Sequence, residues 1–233
     1  MNASPLPSPD RSLVRLLQLA SPTLPVGAYS YSQGMEAAIE AGIVHDATSA
    51  QKWIDDVLRF GTARLELPAL HRLCLAWSDG DLEQVRRWND FFVTTRETAE
   101  LRAETLQMGY SLQLLLSELD DFSAEDLTAL AGIQDTTFPC AFAFAVTRWD
   151  IPVPSSLVGY LWAWLENQVM AAIKAVPLGQ TDGQRLLLRL GAALPGIVTA
   201  VPTMADEELC NFTPGLAIAS SRHETQYSRL FRS

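Results

Sequence analysis

Apolar positions recur along this chain at three- and four-residue spacing, and the longest apolar run lies between Leu157 and Val176. Only Gly159, Glu166, Asn167, Gln168 and Lys174 interrupt it. A helix over this span is about 30 Å long at ~1.5 Å per residue. An apolar surface nearly all the way round marks either a buried helix or a membrane span. The Glu166-Asn167-Gln168 triplet near the middle argues against hydrocarbon, where ionised and amide groups are costly. The pattern predicts the central helix of a soluble helical domain, opened by Pro154, Ser155 and Ser156 and stopped by Pro177.

Shorter amphipathic segments surround it. Leu13 to Ala20 predicts a short helix that ends at SPTLPVGAYSYSQG, where two prolines and two glycines force a defined loop. Gly34 to Gly42 is helical by composition. Thr48 or Ser49 caps a helix from Ala50 to about Leu65, with Trp53, Ile54, Val57 and Leu58 inward, and Pro68 opens another carrying Leu70, Leu73, Cys74 and Trp77. Asp81 caps the next. Asn89 to Leu119 is one long helix or two joined near Thr94-Thr95, with Arg96 supporting Glu100 four residues on, and Glu100 mildly repelling Glu104. Ser123 with Asp126 resembles a capping box. Phe138 to Arg148 alternates like a strand, but its alanines and helical flanks favour a helix. Thr181 to Leu194 follows, then a looser run to Asn211. The expected fold is all-α: a single helical bundle of about ten helices around the central one. A Pro/Ser-rich flexible head covers residues 1–12, the body 13–220 and a docking tail 221–233.

Composition narrows the function. A chain of 233 residues can bury a substantial core. Net charge is −10, and lysine accounts for just two of the 17 basic residues. An acidic chain with no basic run is a poor nucleic-acid binder. Three scattered cysteines, Cys74, Cys140 and Cys210, do not form a disulfide framework, and the head lacks an apolar signal segment; a reducing, cytoplasmic setting is expected, with no membrane partner.

Catalytic signatures are missing: there is no GxxxxGK[ST], no GxGxxG, no HExxH and no nucleophile elbow. His71 and Cys74 read as core packing, His45 as a turn residue, and Asp55-Asp56 and Asp120-Asp121 as solvated or capping carboxylates. No catalytic residue, metal site or cofactor is expected. Lys174, on the otherwise apolar helix, either snorkels or meets a partner. The end of the chain, SSRHETQYSRLFRS, sets Tyr227, Leu230 and Phe231 at helical offsets among three arginines; such residue types dominate interfaces, so the segment reads as docking to self or partner.

SPTLPVGAYSYSQGMEAAIEAG, RETAELRAE, ENQVMAAIKAVPLGQTDGQ and RHETQYSRLFRS together resemble the UreF family of urease accessory proteins, in order and spacing, from about Leu13 to Ser233. The resemblance implies an all-α scaffold that is not itself a catalyst. Such proteins dimerise, bind UreD (UreH in some organisms) and recruit the GTPase UreG, so that nickel reaches apo-urease. Carried over by residue, Tyr29 and Arg229 organise the surface for UreD and then UreG. Glu36 and Lys174 belong to the UreG-facing side, while Arg222, His223, Tyr227, Leu230 and Phe231 complete the docking tail. Tyr160 and Trp162 fall at the dimer contact, Trp162 replacing a tyrosine found in some members. His223 and Cys210 touch nickel in transit without forming a metal site. The alternative is a GTPase-activating role in which Arg229 or Arg222 supplies an arginine finger to UreG.

Overall fold

A computed structural model describes residues 9–233. The expected flexible head falls partly outside them; Pro9 to Ser12 already belong to the first helix. The described residues form twelve α-helices and no strand: α1 Pro9–Leu19, α2 Met35–Glu40, α3 Ala47–Val57, α4 Leu67–Asp79, α5 Leu82–Thr94, α6 Ala99–Glu118, α7 Ala124–Ala131, α8 Phe138–Arg148, α9 Val153–Ala175, α10 Gln180–Gly191, α11 Leu194–Ala200 and α12 Pro214–His223. They make one bundle, as the periodicity implies.

The central helix is α9, against which α1, α2, α3, α4, α10 and α11 all pack. Its Leu157, Leu161, Leu165, Val169 and Ala172 are essentially fully buried. A second layer is formed by α8, sandwiched between α4 and α6; Cys140 through Val146 have no exposed surface at all. That burial on every side explains the strand-like alternation of FAFAV. All faces of α8 are interior, so its sequence carries no helical polar stripe. Among the described residues, the one helical run long and apolar enough to cross a membrane by length and composition is not α9 but Gln180–Thr203, comprising α10, α11 and a short 3-10 turn.

Two boundaries differ from expectation. The cap of α3 is Asp46, which accepts from Ser49 N at 2.8 Å while the Ser49 hydroxyl accepts from Asp46 N at 3.0 Å, a reciprocal box with serine in the usual glutamate position. Pro68 does not open a separate helix either. Residues 58–66 form a π-helical segment that joins α3 to α4 without a break. Pro68 lacks the N–H that Arg64 O would receive in an α-helix. The 209–213 segment substitutes: Cys210 N donates to Arg64 O (3.3 Å) and Phe212 N to Phe60 O (3.0 Å). With the freed carbonyls satisfied from outside, the wide turn persists.

The long stretch after Asn89 divides as one of the two alternatives foresaw. A break at 95–98 is closed by Thr98, whose side chain accepts from Leu101 N. Asn89, fully buried, holds the turn into α8: its amide donates to Gln134 O (3.1 Å) and Asp135 O (3.2 Å), and its Oδ1 accepts from Thr137 N (2.9 Å). There α6 passes so close that a Cβ on Gly109 would lie 2.0 Å from Thr136 O.

Candidate partner-docking surface

The polar residues that interrupt the central helix assemble a surface in three tiers. The first tier is α9 itself. Glu166 Oε2 accepts from the Tyr29 hydroxyl (3.3 Å), Asn167 Nδ2 donates to Tyr31 O (3.1 Å), and Gln168 Nε2 donates to Gln33 Oε1 (3.4 Å). Trp164 Nε1 also donates to Gln33 Oε1, at 2.8 Å. Four side chains from little more than one turn of an apolar helix thus anchor the 28–33 loop. Burial, and after it the Glu166 carboxylate, push the Tyr29 phenol up to about 12, so it stays a donor at neutral pH.

The loop is the second tier, and the chain's last residues form the third. Ser30 O accepts from Arg232 N (2.7 Å), and Ser233 O accepts from both Ser32 N (2.8 Å) and the Ser32 hydroxyl (2.5 Å). Three carboxylates clamp the tail from below. Glu36, on α2, accepts from Leu230 N (2.7 Å) and Phe231 N (2.9 Å). Glu100, on α6, takes Arg229 Nη1 at 2.6 Å. Glu104, one turn on, accepts from the Ser233 hydroxyl (2.9 Å) and from Gln33 Nε2 (2.8 Å). Between the first two lies the His223 ring, with no exposed side-chain surface, its Nδ1 2.7 Å from Glu100 and its Nε2 3.2 Å from Glu36. Both nitrogens donate only when the imidazole carries two protons.

The approach of α12 to α2 makes this possible. Gly34, at φ +76°, leaves room for Ser220 N, which a Cβ there would meet at 3.0 Å. Glu104 itself is fully enclosed, and burial pushes its carboxyl up to about 7, reinforced by nearby Glu66 and opposed by the Gln33, Ser233 and Arg96 contacts. Glu66 pairs with Arg96 at 3.3 Å and accepts from the Tyr160 hydroxyl. A cavity of about 80 Å³ lies beneath the 19–33 segment, where Tyr29, Glu66, Arg96 and Tyr160 meet an apolar wall.

The structure therefore brings Tyr29, Glu36, Lys174, His223, Arg229, Leu230 and Phe231 to one region. Lys174 is exposed, with Nζ 5.7 Å from the Phe231 ring centroid, a cation–π contact that joins the end of α9 to the tail. Phe231 is buried, whereas Tyr227 is completely exposed and Leu230 is 63% exposed. The tail is not helical beyond His223, so the helical offsets of Tyr227, Leu230 and Phe231 do not describe it. Arg222, at the end of α12, faces solvent.

Other expectations fare differently. Arg96 precedes α6 and pairs with Glu66 rather than Glu100. Glu100 and Glu104, read in sequence as a repulsive pair, are two jaws of the tail clamp; two carboxylates one turn apart on an otherwise apolar face were the available signal. Gln33 and Ser32 gave none, because their role depends on distant partners. Of the two residues expected at a dimer contact, Tyr160 is 4% exposed in the protomer and Trp162 is 38% exposed. Cys210 is exposed, Cys74 and Cys140 buried. Among the described residues no group of three or more His, Cys, Asp or Glu side chains is placed to hold a metal ion.

Comparison with known proteins matches residues 44–191 to the UreF family model. The chain belongs to the UreF family. It is 58% identical over 223 residues to the urease accessory protein UreF of Azoarcus sp. (strain BH72), covering 95% of both chains. Identity to the UreF of Methylobacillus flagellatus is 53%, over 97% of this chain and all of that one. A bifunctional urease accessory protein UreEF of Bordetella bronchiseptica is 48% identical over 99% of this chain, which spans 54% of that longer protein.

Proposed function

We propose that this protein is a non-catalytic scaffold in the maturation of urease: with UreD/UreH it recruits the GTPase UreG to apo-urease so that nickel can be inserted. The observation that carries the reading is the composite surface itself. The Tyr29 loop and the tail are locked together, yet Tyr227 and Leu230 remain solvent-facing, Lys174 meets the tail at Phe231, and Arg222 is exposed at the end of α12. Ordered aromatic and aliphatic side chains among cationic ones are the ingredients of an interface hot spot. Family membership supports the urease pathway, and the absence of a nucleotide loop in the sequence fits recruitment of a GTPase rather than GTP hydrolysis.

The engagement of Arg229 by Glu100 suits an organising role better than a finger that must reach a nucleotide in trans. Homodimerisation belongs to the same proposal, through the face where Trp162 and the 77% exposed Leu188 stand out; Tyr160 acts from within by holding Glu66.

The test is co-purification with UreD and UreG. Removing residues 221–233 is a poor variant, because it takes His223 out of the interior. Tyr227→Ala with Leu230→Ala leaves every clamp contact in place. Loss of UreD capture by this folded double variant is expected; undiminished capture of both partners would refute the surface. Arg229→Ala then separates the roles: at equal complex occupancy, a fall in UreG turnover with binding intact would favour the finger over the scaffold.

A further inference from the structure

Glu104 has an environment unlike those of its two companions in the clamp. Glu36 and Glu100 share the His223 ring, and Glu100 also holds Arg229. The partners of Glu104 are a neutral amide and a neutral hydroxyl, Gln33 and Ser233. Around it stand Glu66 from the π segment, with Arg96 already committed to that carboxylate; Tyr160 from α9; and Tyr31 with Arg232, from the loop and the tail. Both Glu104 oxygens accept, from Gln33 and from the Ser233 hydroxyl; the neutral acid keeps the Gln33 bond and turns its own O–H to donate to the Ser233 oxygen instead. An ionised Glu104 puts a second carboxylate beside Glu66, where Arg96 is already engaged by Glu66 and Arg232 lies toward solvent at Tyr31.

We infer that seating of the 228–233 segment is coupled to uptake of a proton by Glu104, so that the tail is held firmly in mildly acidic solution and loosens as pH rises. The coupling lies within this chain and does not depend on which protein the surface meets. With the tail seated the Glu104 carboxyl is held up at about 7; when the tail lifts, water reaches it and it moves down toward the ordinary range near 4.5 by as much as the tail's share of its burial. Docking therefore favours the protonated form. The open population climbs by as much as tenfold per pH unit between those values and levels off above them, about 10- to 50-fold in total between pH 5 and pH 7.5. His223, Glu36, Glu100 and Arg229 also hold the segment, so a pH effect in the tail must be assigned to one of them or to Glu104.

Amide hydrogen exchange on the full chain makes that assignment. The amides of Leu230, Phe231 and Arg232 are bonded only in the seated state, to Glu36 and to Ser30 O. Their protection, corrected for intrinsic exchange, is expected to fall 10- to 50-fold from pH 5 to pH 7.5 in the wild type. In Glu104→Gln, which reproduces the neutral acid, the slope disappears. A flat wild-type profile overturns the inference, as does a Glu104→Gln profile with the wild-type slope, which would assign the effect to the His223 cluster. A carboxyl carbon titration of wild-type Glu104 tests it without mutation: a midpoint near 7 is expected, and one below about 5 refutes it.

Discussion

Replacing Glu36 by glutamine tests the clamp at its most economical point. The wild-type carboxylate accepts from Leu230 N (2.7 Å) and Phe231 N (2.9 Å) and faces His223 Nε2 at 3.2 Å. Glutamine keeps the shape but has one acceptor oxygen, so its NH2 must turn toward one of those donors. One charge-assisted hydrogen bond to a backbone amide is lost, worth about 1.5–3 kcal/mol. The side chain is only 13% exposed, so solvent screening discounts this little. A loss of about 1.5–3 kcal/mol raises the open population of the tail roughly 10- to 150-fold. Trypsin reads that population directly when opening is fast relative to cutting. Cleavage between Arg229 and Leu230 is expected to accelerate by that factor, while cleavage after Arg222, inside α12, changes far less. The body of the bundle keeps its melting behaviour, because no core residue is touched. A Glu36→Gln rate within threefold of wild type at the Arg229 site would refute the clamp as described.

Three other outcomes follow from particular contacts. Gly109→Ala drives a methyl into Thr136 O at a nominal 2.0 Å; overpacking against rigid backbone costs about 3 kcal/mol, seen as a fall of roughly 6–12 °C in the thermal midpoint, and an unchanged midpoint would mean that α6 and the 136–137 turn are not so close. Burial pushes the Cys74 and Cys140 thiols up to about 12, so iodoacetamide at pH 8 is expected to modify Cys210 alone in the native protein, and mass-mapped labelling of either buried thiol would contradict the packing of α4 on α8. Trp162→Glu is expected to convert a dimer to a monomer by light scattering at concentrations where the wild type is dimeric; persistence of the dimer would move its interface elsewhere.

The fold class and most helix positions were legible because each helix must bury one stripe, and a stripe is a local pattern. The central helix, the Asp81 and Ser123 caps and the helical reading of Phe138 to Arg148 all follow from residues close to one another in sequence. Where the reading of boundaries failed, the deciding partner was remote. Pro68 ordinarily begins a helix; here the 209–213 segment accepts the role of satisfying Arg64 O and Phe60 O, and the helix runs on as a π segment. Arg96 is four residues from Glu100, which favours pairing only if both lie on one helix; the helix is interrupted at 95–98 and the guanidinium pairs with Glu66 instead.

The same division runs through the candidate surface. By itself the sequence determined which residues carry chemistry: the polar triplet on α9, the glycine-bounded aromatic loop, the paired carboxylates of α6 and the arginine- and aromatic-rich end. Only the tertiary structure decided that these are one object. Glu36 and Phe231 are separated by almost the whole chain, and no periodicity links them; α12 brings them together by packing on α2 at Gly34. Charge explains the rest. A lone carboxylate in sequence carries no information about burial, and burial is what makes Glu104 an acid near neutrality and the other two anchors for a tail.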